Sequence, residues 1–134
     1  LSDVYNDSIF DFLLGKAFKK GGRGPDEYDC YGLHEICCKH IGKPSVHFDN
    51  WLKMAWLSTL MLRSFENKFI KLEKPKPFCM VLFKAKRGWH IGTVLPSCKQ
   101  YIHIRRGITV CKQRISDVSN PIEGYYEYAE TGSD

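Results

Sequence analysis

The chain has 134 residues, 43% of them hydrophobic and 26% charged, which is the size and balance of one globular domain spanning 1–134. No run reaches the roughly 18 apolar residues of a membrane-spanning helix, so no membrane span is expected. A net charge of +5 leans toward anionic partners, but the basic clusters at Lys19, Lys20 and Arg23 and at Lys84, Lys86 and Arg87 read as solvated surface, and no recognition motif points to nucleic acid.

Six cysteines form an even set, yet Cys37 and Cys38 are adjacent and fall mid-helix, while Cys79 and Cys111 fall in strands. Those are places for small buried thiols, and the usage fits folding in a reducing compartment better than a disulfide framework. The N-terminus lacks both the basic and the apolar regions of a secretory signal. It also lacks an initiator Met, which reads as a processed chain or a piece of a longer one.

Helical spacing of Phe10, Leu13, Leu14 and Ala17, with Ser8 and Asp11 as a start signal, predicts a first helix from about Ser8 to Phe18. Gly21-Gly22-Arg23-Gly24-Pro25 breaks it; no Lys-Ser/Thr follows, so the loop reverses the chain rather than cradling phosphate. A second helix is expected from Cys30 to about Ile41, capped by Asp29 and ended by Gly42, with Leu33, Ile36, Cys37 and Ile41 as its core stripe. A third, over about Trp51 to Arg63, is apolar most of the way round; plain burial is the default reading, and it could also cover a site as a lid or meet another protein. Beyond Phe65, β-branched and aromatic stretches predict strands near 69–72, 78–84, 89–95, 100–105, 108–114 and 125–129. Helices first and strands at hairpin spacing afterwards predict an α+β fold, with N-terminal helices packed on an antiparallel β-sheet.

Asp29-Cys30-Tyr31-Gly32-Leu33 carries the clearest chemical signal. A thiol in the first turn of a helix lies among unpaired N–H groups at the positive end of the macrodipole, which favours thiolate and makes Cys30 a candidate nucleophile. It needs a base. His34 is four residues from both Cys30 and Cys38, but two or three ligands on one short helix do not complete a zinc site, so no metal and no cofactor is expected. His90, with Gly92 two residues on along the same strand face, and His103, between β-branched residues, sit in adjacent predicted strands. Side by side, one could take the thiol proton and the other orient it.

These ordered motifs resemble the NlpC-type cell-wall cysteine peptidases, in particular the branch found in phage tail assembly and tail-tip proteins. The resemblance covers about Phe18 to Arg114 and rests on Gly21-Gly22 with Pro25, Tyr28-Asp29-Cys30-Tyr31-Gly32-Leu33, Lys74-Pro75-Lys76-Pro77 before Val81-Leu82-Phe83, His90-Ile91-Gly92, and Tyr101-Ile102-His103. It implies a papain-like α+β fold, with the nucleophile at a helix N-terminus. It also implies hydrolysis of amide bonds in peptidoglycan stem peptides. Cys30 would be nucleophile, His90 general base and His103 orienter, with the Cys30 N–H in the oxyanion hole and Phe18, Asp29, Tyr31 and Gly92 lining the site.

Two positions depart from the family pattern. Phe18 stands where the family commonly has tyrosine, and Phe78-Cys79 where it has Gly-Asp. The implied partners are peptidoglycan and, through the apolar 51–63 segment, phage tail proteins. The implied location is a virion tail, or the host cell wall or periplasm, after synthesis in the host cytoplasm. The same fold could instead serve as an amidase, deamidase or acyltransferase, or as a non-catalytic tail assembly module.

Overall fold

A computed structural model describes residues 6–45, 68–86 and 88–129. The expected third helix at 51–63 lies outside these residues. Among the described residues none of the helices is long and apolar enough to cross a membrane.

The first expected helix is not formed. Only one 3-10 turn, Asp11–Leu13, appears, and Ala17–Phe18 is instead a short strand, β1, paired in parallel with β2, Glu27–Tyr28. Gly15 explains the break. It adopts φ +85°, and its N–H donates to the Val110 carbonyl at 3.0 Å, while Val110 N–H donates to the Lys16 carbonyl at 2.9 Å. The segment thus gives up helical bonds for a ladder with the β-sheet. Phe10 and Leu13 are buried, but Leu14 and Phe12 face outward, so the helical spacing of the apolar residues did not report one face.

The one α-helix among the described residues, α1, spans Cys30–His40. The Asp29 side chain accepts from Gly32 N–H at 2.6 Å, which fixes its first turn. At the other end Gly42 takes φ +74°; Gly42 N–H donates to Lys39 O and Lys43 N–H to Cys38 O, which is a Schellman termination. The loop before α1 is locked onto it. Asp29 N–H donates to Gly22 O at 3.1 Å, and Arg23 reaches both Asp29 at 2.8 Å and Glu35 at 2.9 Å.

Six strands follow: β3 (Phe69–Leu72), β4 (Met80–Ala85), β5 (Gly88–Val94), β6 (Gln100–His103), β7 (Cys111–Arg114) and β8 (Ile122–Tyr128). They form one antiparallel sheet in the order β3-β8-β4-β5-β6-β7. α1 covers one face, where Cys30, Tyr31 and Cys38 meet Met80, Leu82, Ile91, Tyr126 and Tyr128, and Leu33 and Cys37 meet Ile102 and Ile104. The opposite face buries Val81, Phe83, Val94 and Tyr101 beneath Ile115, Val118 and Ile122. Phe78, where the resembling family has glycine, adopts φ +71°, a left-handed conformation that costs a non-glycine residue about 1–2 kcal/mol. Its ring packs edge-on to Phe10 at 5.8 Å and offsets part of that cost.

A Cβ on Gly32 would run into the Gly22 carbonyl oxygen, backbone against backbone. Gly32→Ala is therefore expected to destabilise the protein by about 1–3 kcal/mol, read as a lower urea midpoint at unchanged m-value. An unaltered midpoint would show that the Gly22 loop is not held against the helix.

Candidate functional site

Cys30 is the first residue of α1, directly after the capping Asp29. It is 4% exposed and packs with Leu82 and Ile91 on the α1 face of the sheet. Asp29 is wholly buried and occupied by the helix cap and by Arg23. Tyr31 is core rather than site lining, as its hydroxyl lies 2.9 Å from the Tyr128 hydroxyl inside the protein. Phe18 is half-buried with the Arg106 guanidinium 5.4 Å from its ring centroid.

The two histidines do come together. His90 Nε2 lies 3.0 Å from His103 Nδ1, on β5 and β6, as expected from neighbouring strands. Their position relative to Cys30 differs from the expectation. Thr93 faces α1, since its hydroxyl is 2.7 Å from His34 Nδ1. β5 pairs with β4 without a bulge from Gly88 to Thr93, so strict alternation turns Trp89, Ile91 and Thr93 toward α1 and His90 and Gly92 away. His90 stacks on Phe83, and His103 lies beside Tyr101, both on the far face. The sheet thus stands between Cys30 and the histidine pair. Gly92 makes room for the Tyr101 ring, 2.6 Å from where its Cβ would be, and not for a helix or a substrate beside Cys30.

A different thiol meets the pair. Cys111, expected from the sequence to be a small buried thiol in a strand, is half-buried on β7 directly across from His103, and its Sγ is 3.5 Å from His103 Nε2. The order Cys111, His103, His90 is that of thiol, imidazole and orienting imidazole. If His103 Nε2 accepts from the thiol, its Nδ1–H donates to His90 Nε2, and one tautomer satisfies both contacts. Burial, then Arg105, holds His103 down at about 4; burial, then His103 and Arg105, holds His90 at about 3. Burial raises the Cys111 thiol and Arg105 pulls it back. No group of three or more metal-ligating side chains is found among the described residues.

Solved structures place this architecture. The chain superposes on NlpC1 from Trichomonas vaginalis with TM-score 0.64 at 18% identity, covering 91% of this chain and 45% of that one. NlpC2 from Trichomonas vaginalis gives 0.63 at 18%, covering 91% and 48%. The NlpC/p60 domain of the peptidoglycan hydrolase SagA gives 0.57 at 18%, covering 86% and 91%.

The fold is that of the NlpC/p60 domains. The chain spans about half the length of the two Trichomonas vaginalis proteins. No protein-family model and no curated protein sequence matches it.

His34, fully buried, is held at about 3 by burial and the nearby Lys43, so three imidazoles are kept neutral in the folded chain. A folded pKa below the unfolded value of 6.5 means that stability is complete above about pH 6.5 and lost as pH falls toward the folded values. Each fully buried imidazole then costs on the order of 1.4 kcal/mol per pH unit in that window. The urea midpoint should fall from pH 7 to pH 5, and His34→Gln should flatten the decline; a midpoint independent of pH would contradict the burial.

Proposed function

We propose that this chain is a thiol-dependent hydrolase of peptide amide bonds, acting on peptidoglycan stem peptides and carried by a phage tail or similar wall-penetrating particle. The observation that carries the reading is a cysteine as first residue of an N-capped helix in an NlpC/p60 fold. The ordered Asp-Cys-x-Gly-Leu and His-x-Gly motifs support the cell-wall and phage-tail assignment.

In this reading Cys30 is the nucleophile. The N–H groups opening α1 favour its thiolate and would hold the oxyanion formed when sulfur attacks the carbonyl carbon. The C–N bond then breaks, the amine leaves with a proton from solvent, and water cleaves the thioester. His90 and His103 do not serve this thiol while β5 keeps its present face toward α1.

A second reading is favoured by the His103–Cys111 contact. There Cys111 is the nucleophile, His103 the general base and His90 the orienter, with the roles of the two histidines exchanged relative to the sequence expectation.

Incubating the purified chain with diaminopimelate-type peptidoglycan, with mass spectrometry of released fragments, separates the readings. The first predicts that Cys30→Ala lowers release at least about a thousandfold while Cys111→Ala keeps it. The second predicts the reverse, together with loss in His103→Ala. No release by the wild-type chain, or full release by both cysteine variants, would overturn a thiol hydrolase of this substrate.

A further inference from the structure

A third constellation, away from Cys30 and from the His90–His103 pair, is built between α1 and β5. His34 Nδ1 lies 2.7 Å from Thr93 Oγ1, and His34 Nε2 lies 3.5 Å from Cys38 Sγ. His34 and Cys38 line a cavity of about 490 Å³, within the usual size of small-molecule sites. Phe78 and Tyr128 give it apolar walls, and Lys43 and Glu127 give it charge. Glu127 is 3.8 Å from Lys76, whereas Lys43 makes no ion pair among the described residues. Lys43 lines the same cavity wall as His34 and Cys38, and its charge lowers the pKa of both.

One tautomer fits the contacts. With the proton on Nδ1 donated to the Thr93 hydroxyl, Nε2 presents its lone pair to the Cys38 thiol. Burial keeps the imidazole neutral and holds the thiol up at about 12, so the resting pair is uncharged.

We propose that Cys38 and His34, the latter held from behind by Thr93, form a nucleophilic site on the floor of this cavity, for a small electrophile that carries an anionic group. The anion lies against Lys43. As the Sγ–C bond forms, the thiol proton passes to His34 Nε2 and the displaced group departs with the electron pair of its broken bond. The imidazolium then returns the proton to an amine or alcohol leaving group, or to solvent. With an acyl ligand the product is a thioester on Cys38.

Alkylation of the folded chain by iodoacetate and by iodoacetamide, mapped by mass spectrometry of peptides, tests this without reference to peptidoglycan. Cys37 is the internal control, since it is adjacent on α1, fully buried and not part of the cavity lining. Cys38 should be labelled at least about tenfold faster than Cys37, the gain that general-base assistance and access provide. Relative to free cysteine it should prefer iodoacetate, and Lys43→Gln should reduce that preference by about tenfold. Equal labelling of Cys37 and Cys38, or an iodoacetate preference that Lys43→Gln leaves intact, would overturn the proposal.

Discussion

Side chains along β5 alternate between the two faces of the sheet, and this parity decides which reactive groups in the protein can meet. Ile91 and Thr93 lie under α1, and Val94 lies on the other side; all three are almost wholly buried. A one-residue slip would exchange the two sets and would also part Thr93 from His34. Exposing or misplacing each buried apolar side chain costs roughly 1.5–3 kcal/mol, and both neighbouring strands would have to follow. The separation of Cys30 from His90 is therefore a property of the core. No adjustment of a loop would undo it.

The start of α1 rests on a second tight arrangement. Asp29 caps the helix, pairs with Arg23 and sits in a loop that can approach only because Gly32 has no side chain. The buried Tyr31–Tyr128 hydrogen bond pins the next residue to β8. Cys30 is held between these anchors with little freedom. Two opposing effects act on its thiol. The helix N-terminus favours the charged form, while burial at 4% exposure penalises it. A sulfur so enclosed gains precision of position at the expense of access.

Local signals account for what the sequence revealed. The bounds of α1 were legible because the Asp29 cap and the Gly42 termination lie within a few residues of the helix they define. Six strands were legible from composition and turn residues. The Ser8–Phe18 segment was not, because its helical spacing competed with a non-local ladder to Val110 that no nearby residue announces. The pairing of His90 with His103 followed from adjacent strands, but their direction did not. Both faces of β5 are apolar and covered, so alternation told which residues share a face without telling which face meets the helix. Cys111 was hidden by one residue of register. A two-residue turn at Arg106-Gly107 would set His103 opposite Val110; the observed, wider turn sets it opposite Cys111.

The three thiols of interest therefore belong to different chemical regimes. At Cys30 the backbone N–H groups opening α1 act on the sulfur, with burial opposing them. At Cys111 and Cys38 the neighbouring imidazoles are held near 3–4 while the thiols are raised. Proton transfer from such a thiol to such an imidazole is strongly uphill at equilibrium, so neither pair rests as thiolate and imidazolium. Reaction there requires the proton to move as the new bond to sulfur forms, when the developing positive charge on imidazole is balanced by charge passing onto the electrophile. Arg105 beside the Cys111 pair and Lys43 beside the Cys38 pair work in the same sense, opposing a resting imidazolium while favouring negative charge on sulfur or on a bound anion. At the Cys38 pair an imidazole kept neutral by its surroundings is then matched to a ligand that brings its own negative charge, and Lys43 on the same cavity wall is where that charge would lie.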